Sequence, residues 1–364
     1  MNEISPGKKS ALKKPCASCG AELIYAPGTS ELRCGYCGHT ETIKRSEKRF
    51  SELSLWPYLD KMGSQGHSEE ITMLHCKNCG ASQHIGENYK SIGCIYCNTP
   101  LIIEDAHQEN WILPGAVLPF QIDQKEAFDI FKKWVKGLWF APNNLKKAAV
   151  SPENTRGLYL PYWTFDSDIY ADYTGERGEY YYVTETVGSG KDERRVQVRK
   201  TRWYDVSGNV SGFLDDTLIT ASNQRMGRIP EKIATWNLSL LKPFDSNYLL
   251  GYVTEKYTVP LADGYKKHVQ IADDVAHNWA KEDIGGDEQR VFSVNTQFTN
   301  ETFKHILLPV YLSSYQYNGK RYTFFVNGES GAISGQRPHS LWKIFFFIFF
   351  IALILFVIYM ASGN

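Results

Sequence analysis

Residues 16–37 read CASCGAELIYAPGTSELRCGYC, and residues 76–97 read CKNCGASQHIGENYKSIGCIYC. Both are C-x2-C-x14-C-x2-C, and each cysteine of the second copy stands 60 positions after its counterpart in the first. Together they hold all eight cysteines of the 364-residue chain. Two C-x2-C turns at this separation suit one tetrahedral zinc ion, because thiolates match its softness and four of them complete its coordination. The intervening residues suffice for a β-hairpin that brings the turns together. Gly20, Gly38, Gly80 and Asn98 follow the turns directly, and such residues tolerate the left-handed backbone a tight turn requires. The expectation is two Zn2+ ions in two zinc ribbons. Cys16, Cys19, Cys34 and Cys37 hold one; Cys76, Cys79, Cys94 and Cys97 hold the other. Four thiolates leave no open position, so the zinc is expected to be structural and no catalytic residue is assigned. Iron is the competing metal for such a set.

Outward from the ribbons, residues 46–70 read as a charged, Gly/Ser-bearing linker between ribbon 1 (1–45) and ribbon 2 (71–107). From Trp111 the composition changes, and residues 108–338 are expected to form a mixed, β-rich α/β body. In it, Asp123 with Glu126 reads as a capping box that opens an amphipathic helix ending by Pro142. Residues 157–213 are aromatic and β-branched, with two strands joined at a Gly-bearing turn. Residues 230–282 read as more helical, best over Asp263–Lys281, and strands return from Gln289 to Ser334. LYLPYWTFDSDIYADYTGERG (158–178) and ILLPVYLSSYQYNGKRYTFFVNGESG (306–331) share a Leu-Pro and aromatic strands, so they read as two related β-hairpin units. The fold class is α+β.

Residues 344–360, IFFFIFFIALILFVIYM, carry no polar group except a Tyr hydroxyl. As a helix they span about 26 Å, near the ~30 Å hydrocarbon core of a bilayer. We expect a transmembrane helix over 341–361, with Trp342, Lys343 and Tyr359 at the membrane interfaces. Arg337 and Lys343 precede it and no cation follows. By the positive-inside rule the bulk of the chain lies in the cytosol and only the C-terminus crosses the inner membrane, as a single-pass tail anchor. The N-terminus MNEISPGKKSALKK has no apolar run, so no signal peptide is expected, and cysteines in C-x2-C pairs point to metal rather than disulfides.

Lys plus Arg and Asp plus Glu both number 40. A dedicated nucleic-acid binder carries a basic excess, so that partner is disfavoured, and ribbon 2 has fewer Lys/Arg than acids. No phosphate-binding G-x4-GK[ST], HExxH or G-x-S-x-G occurs. His268 and His277 stand too far apart to share a metal, Asp215–Asp216 and Asp273–Asp274 read as solvated or capping pairs, and the Tyr159, Tyr162, Trp163 and Phe165 cluster reads as core.

The ribbons, VLPFQIDQKEAFDIFKKW, GLYLPYWTFD, YTGERG and KHILLPVYLSSYQYNGKRYTFFVNGESGAISGQRP together resemble a bacterial family of double-zinc-ribbon, tail-anchored membrane proteins of the YdjG type. Such proteins carry the labels TFIIB-type zinc ribbon and primosomal-helicase-like. Without a nucleotide-binding loop the helicase label is not supported. The resemblance implies a non-enzymatic membrane adaptor that recruits cytosolic partners, SPFH-domain and PspA-like proteins, to the bilayer during envelope stress. A membrane-tethered nucleic-acid-binding ribbon protein is the alternative; the oligomeric state is left open. Deleting residues 341–364 is expected to yield a soluble chain that still binds zinc, as read by membrane fractionation and metal content. A truncated chain that stays in the membrane pellet overturns the anchor.

Overall fold

A computed structural model describes the chain except residues 1–13, 45–51, 61–67, 79–81, 85–90, 95, 97–98, 103–106, 144, 146–154, 189–192, 223–228, 230, 319 and 363–364. Most of the 46–70 segment and Cys79 and Cys97 therefore lie outside the described residues. The architecture is mixed: strand-rich sheets, a few helices, and one apolar helix at the C-terminus.

The first cysteine unit is an antiparallel sheet of β1 (Lys14–Pro15), β2 (Glu22–Ala26), β3 (Glu31–Cys34) and β4 (Thr40–Thr42). Strict alternation along β2 and β3 turns Leu23, Tyr25 and Leu32 inward, where all are buried. This sheet does not stand apart. The amide of Tyr25 donates to Leu250 O at 3.0 Å, and that of Gly28 to Phe120 O at 2.9 Å. Its core residues form one cluster with Phe120, Phe128 and Phe131 of the body.

Next come β5 (Leu53–Ser54), α1 (Trp56–Asp60), β6 (Ser68–His75), β7 (Ser82–His84), β8 (Ser91–Gly93), β9 (Pro100–Ile102) and β10 (His107–Ile112). Here the sequence repeat becomes a repeat of register. Lys14 faces Leu23 and Pro15 faces Glu22; 60 positions on, Leu74 faces Gln83 and His75 faces Ser82. Glu31, Leu32 and Arg33 face Thr42, Glu41 and Thr40; Ser91, Ile92 and Gly93 face Ile102, Leu101 and Pro100. The second unit joins the main sheet through β7.

The body comprises β11 (Ala116–Val117), α2 (Gln124–Gly137), β12 (Arg156–Val187), β13 (Arg194–Thr220), β14 (Lys242–Pro243), β15 (Val253–Glu255), α3 (Leu261–Ile284), β16 (Glu288–Tyr317), β17 (Lys320–Asn327) and β18 (Ile333–Gly335); α4 (Leu341–Ser362) follows. The predicted capping box is present: Asp123 Oδ1 accepts from Glu126 N, and Glu126 Oε2 accepts from Asp123 N, both at 2.8 Å. Ala127, Phe128, Phe131 and Val135 form the buried face of α2, with Phe131 stacked on Phe324. The helical expectation for 230–282 holds only for its second half. Residues 231–233, 238–240 and 246–249 form short 3-10 turns; at the last two the carboxamide of Asn237 and the carboxylate of Asp245 bond the amides two residues on and compete with a longer helical backbone.

The Leu-Pro echo is a structural repeat. β12 and β16 are antiparallel neighbours, with Leu160 opposite Leu308. Just before its Leu-Pro proline, each runs beside a short parallel strand, β15 at Leu158–Tyr159 and β11 at Ile306–Leu307. Each then pairs with its own hairpin partner, β13 from Tyr162 and β17 from Val310. Pro161 and Pro309 sit between the two neighbours, where a missing N–H costs no ladder bond. Their carbonyls accept from Ala221 N at 3.1 Å and Gly328 N at 2.9 Å. Each half thus reads short strand, helix, long strand, hairpin strand, and each short strand pairs with the other half's long strand.

At ~3.3 Å per residue β12 is about 100 Å long, whereas α3 is about 36 Å. The helix lays Ala272, Ala276, Ala280 and Ile284 on Ile169, Ala171 and Tyr173, covering one face of the β13-β12-β16 sheet. Both neighbours of β12 bulge at one level: the register shifts beside Asp166–Asp168, where Asp216 (φ 47°) and Asn300 (φ 53°) adopt left-handed backbone. The extra residue at Asp216 delivers a carboxylate to buried Lys304. Lys304 Nζ lies 2.7 Å from Asp216, 3.1 Å from Glu52 and 3.7 Å from Asp166. Burial alone would lower its pKa; the three carboxylates outweigh that and hold it above the ordinary lysine value. Substituting Lys304→Met leaves Asp166 buried without its cation, which is expected to cost about 3–5 kcal/mol. A urea melt of the tail-deleted chain checks this, and Lys304→Met with Asp166→Leu should recover part of the loss.

Candidate metal centre

The sulfurs of Cys16, Cys19, Cys34 and Cys37 all lie within 4.8 Å of one another. Cys16 and Cys37 are 3.6 Å apart, and Cys19 and Cys34 3.5 Å. Four sulfurs at about 2.3 Å from a tetrahedral zinc ion stand about 3.8 Å apart, so the cluster has the size of that shell. A disulfide, at about 2.05 Å, does not fit these spacings. Local backbone explains how two C-x2-C turns hold so tight a set. Each C-x2-C turn is closed by an amide onto the carbonyl of its first cysteine, Gly20 N to Cys16 O at 2.9 Å and Gly38 N to Cys34 O at 3.0 Å. Gly20 and Gly38 both have φ 77°, a conformation that needs glycine. Cys16 and Cys34 are buried; Cys19 and Cys37 are exposed.

The thiols are unequal. Backbone amides of Cys37 and Tyr36 point at Cys34 and, against the opposing pull of burial, bring it down to about 6. The amide of Ala21 favours the Cys19 thiolate, but the sulfurs of Cys37, Cys34 and Cys16, with burial, push it up to about 12. Crowded sulfurs resist a second negative charge, and a divalent cation among them removes that resistance. The donor set is closed and soft, which fits a structural zinc and leaves no position for a substrate.

In the second unit Cys76 and Cys94 are buried, and Cys94 N donates to Thr99 O at 2.8 Å, as Cys34 N does to His39 O. Among the described residues, only one other group has metal-ligand spacing: Asp166, Asp215 and Asp216. The ammonium of Lys304 already bonds into that group. Sequence reasoning missed it because Lys304 stands in an apolar strand and its three acids come from distant segments. A doubled Asp at 215–216, a residue type that enters left-handed backbone readily, was the available signal.

Over Leu341–Ala361 the helix is long and apolar enough to cross a bilayer, and none of its apolar window is buried. Trp342 and Tyr359 are exposed near its two ends. Lys343 instead turns back to the body, where Nζ donates to Trp139 O, Ala141 O and Asn143 Oδ1 at 3.2, 2.8 and 2.8 Å.

Fold and site thus define a strand-rich protein with an N-terminal four-cysteine cluster and one C-terminal apolar helix. No protein-family profile matches the chain. It is similar to a protein of Bacillus subtilis (strain 168), the uncharacterized protein YdjG, at 23% identity over 332 residues, covering 90% of this chain and 91% of YdjG. The substitution Cys34→Ser is expected to lower the bound zinc by one equivalent per chain, measured by atomic emission on the purified protein. Unchanged metal content removes this cluster from the metal sites.

Proposed function

We propose that the chain is a non-enzymatic, tail-anchored adaptor that holds cytosolic protein partners at the inner membrane. The observation that carries the reading is the contrast at α4: its apolar window is unburied, while its first turn is bonded to the body through Lys343 and Ser340. Such a helix has lipid as its matching solvent, and the bonds present the body at a set place above it. Arg337 and Lys343 on the N-terminal side, with no cation after the helix, favour a cytosolic body and a C-terminus across the membrane.

Both cysteine units are zinc ribbons in this reading. The 60-residue register match supports a second Zn2+ at Cys76, Cys79, Cys94 and Cys97, with the same structural role. The partners are SPFH-domain and PspA-like proteins, in an envelope-stress response, by the family resemblance. Tethering confines them to a thin layer, where weak contacts act together. The long β13-β12-β16 sheet offers a surface for them, since its face away from α3 carries exposed Tyr170 and Phe213.

Purification of the full-length chain from its own membranes in mild detergent tests the adaptor. SPFH-domain or PspA-like proteins should co-purify, and they should be lost when only residues 335–364 are expressed. Nuclease-sensitive DNA or RNA in their place overturns the adaptor and puts a membrane-tethered nucleic-acid factor first.

A further inference from the structure

We propose that the segment from Gly137 to Asn143 lies in the same membrane interface as the start of α4, and that the two together bind one anionic phospholipid. The proposal rests on reading α4 as a membrane span. Three contacts pin the segment to the first two turns of that helix. Ser340 N donates to Phe140 O at 2.7 Å, Phe140 packs edge-on against Phe347 with ring centroids 5.3 Å apart, and Lys343 Nζ holds the carbonyls of Trp139 and Ala141. Wherever the head of α4 sits in the bilayer, this segment sits beside it.

Its side chains suit that place. Trp139 is 76% exposed, close to the 72% of Trp342 on the helix itself. An indole with an apolar body and one N–H settles at the headgroup level of a bilayer. Between the segment and the helix runs a groove of about 540 Å3. Phe346, Phe347 and Phe350 form one wall, Gly137 and Trp139 the other, and Lys136 and Lys343 stand with them. From Lys343 to Phe350 the helix rises about 10 Å, the outer third of a ~30 Å hydrocarbon core. The phenyl wall is continuous with the lipid-facing surface of α4, so an acyl chain is the apolar occupant that can reach it.

The charges select the headgroup. Lys136 is exposed in the last turn of α2, and Lys133 is exposed one turn earlier. Lys343 answers the carbonyls of Trp139 and Ala141, whose oxygens would otherwise repel a phosphate. No carboxylate is among the described lining residues. A phosphate with a further negative or neutral hydroxyl headgroup is favoured over one carrying a choline cation.

The test uses the full-length chain in phosphatidylcholine vesicles containing a minor share of phosphatidylglycerol. Native mass spectrometry after gentle extraction should find one phosphatidylglycerol retained, about five- to tenfold over phosphatidylcholine, with Lys136→Glu abolishing the preference. Dibrominated phosphatidylcholine should quench the tryptophan emission of the wild type more than that of Trp139→Phe. Equal retention of both lipids, retention unchanged in Lys136→Glu, or identical quenching in Trp139→Phe each overturns the lipid site. Alkaline carbonate extraction run alongside separates this from the reading beneath it: a chain that leaves the vesicles overturns the membrane span itself.

Discussion

The ladder between Arg156–Gly178 and Glu288–Leu312 organises everything else in the body. Around Leu160 and Leu308 both strands are buried on both faces, over 158–167 in one and 303–313 in the other. Backbone amides and carbonyls in so dry a region must all find partners, and a two-stranded core cannot supply them alone. The short parallel strands and the long hairpin partners close that account from either side, and the two prolines mark where one neighbour gives way to the next. The α3 helix then seals the exposed half of the ladder with alanines, small enough to let helix and sheet approach. On the sheet's β13 strand Gly212 makes room for Trp279, which a Cβ would meet at 2.6 Å.

Much of this could be read from residue order. The capping box at Asp123 and Glu126, the apolar stripe of α2, the helix near Asp263–Lys281 and the antiparallel pairing of β12 with β13 all follow from local chemistry. So does the four-cysteine cluster, since C-x2-C turns followed by glycine carry their geometry with them. The Leu-Pro echo pointed at a real duplication. Its interlocked form was hidden because β11 and β15 are only two and three residues long, too short to show any period. Lys304 was hidden for a related reason: an ion cluster assembled from Glu52, Asp166 and Asp216 has no local signature. The acceptors of Lys343 were hidden in the same way, since they lie about 200 positions upstream in the chain.

The two ends of the molecule obey opposite rules. At the N-terminal unit the backbone is bent into glycine turns so that four sulfurs converge, and the small core gains support from Tyr25, which packs against Tyr248 and Tyr252 of the body. At the C-terminus the contacts of α4 with the body are at its opening turns, and none of its apolar window is buried among the described residues. The N-terminal unit and the body share one core: buried Cys16 and Cys34, the α2 face and the hairpin residues Phe324 and Val326 belong to a single cluster.

The exchange of short strands between the halves governs the order of events during synthesis. Ala116–Val117 cannot find its parallel neighbour until Ile306–Leu307 has been made, about 190 residues later. At ~5–20 residues per second the first half waits some 10–40 seconds with unpaired strand edges. The four-cysteine units, whose pairings span fewer than about 30 residues, and the β12–β13 hairpin, which zips outward from Val187 and Arg194, can close within that interval; the β12–β16 ladder cannot. When the central ladder zips, β17 and β18 still have to be added before the body is whole. The interlock of the two halves is therefore a late step, and until it is complete the β12 edge that β16 will cover stands open to any other strand.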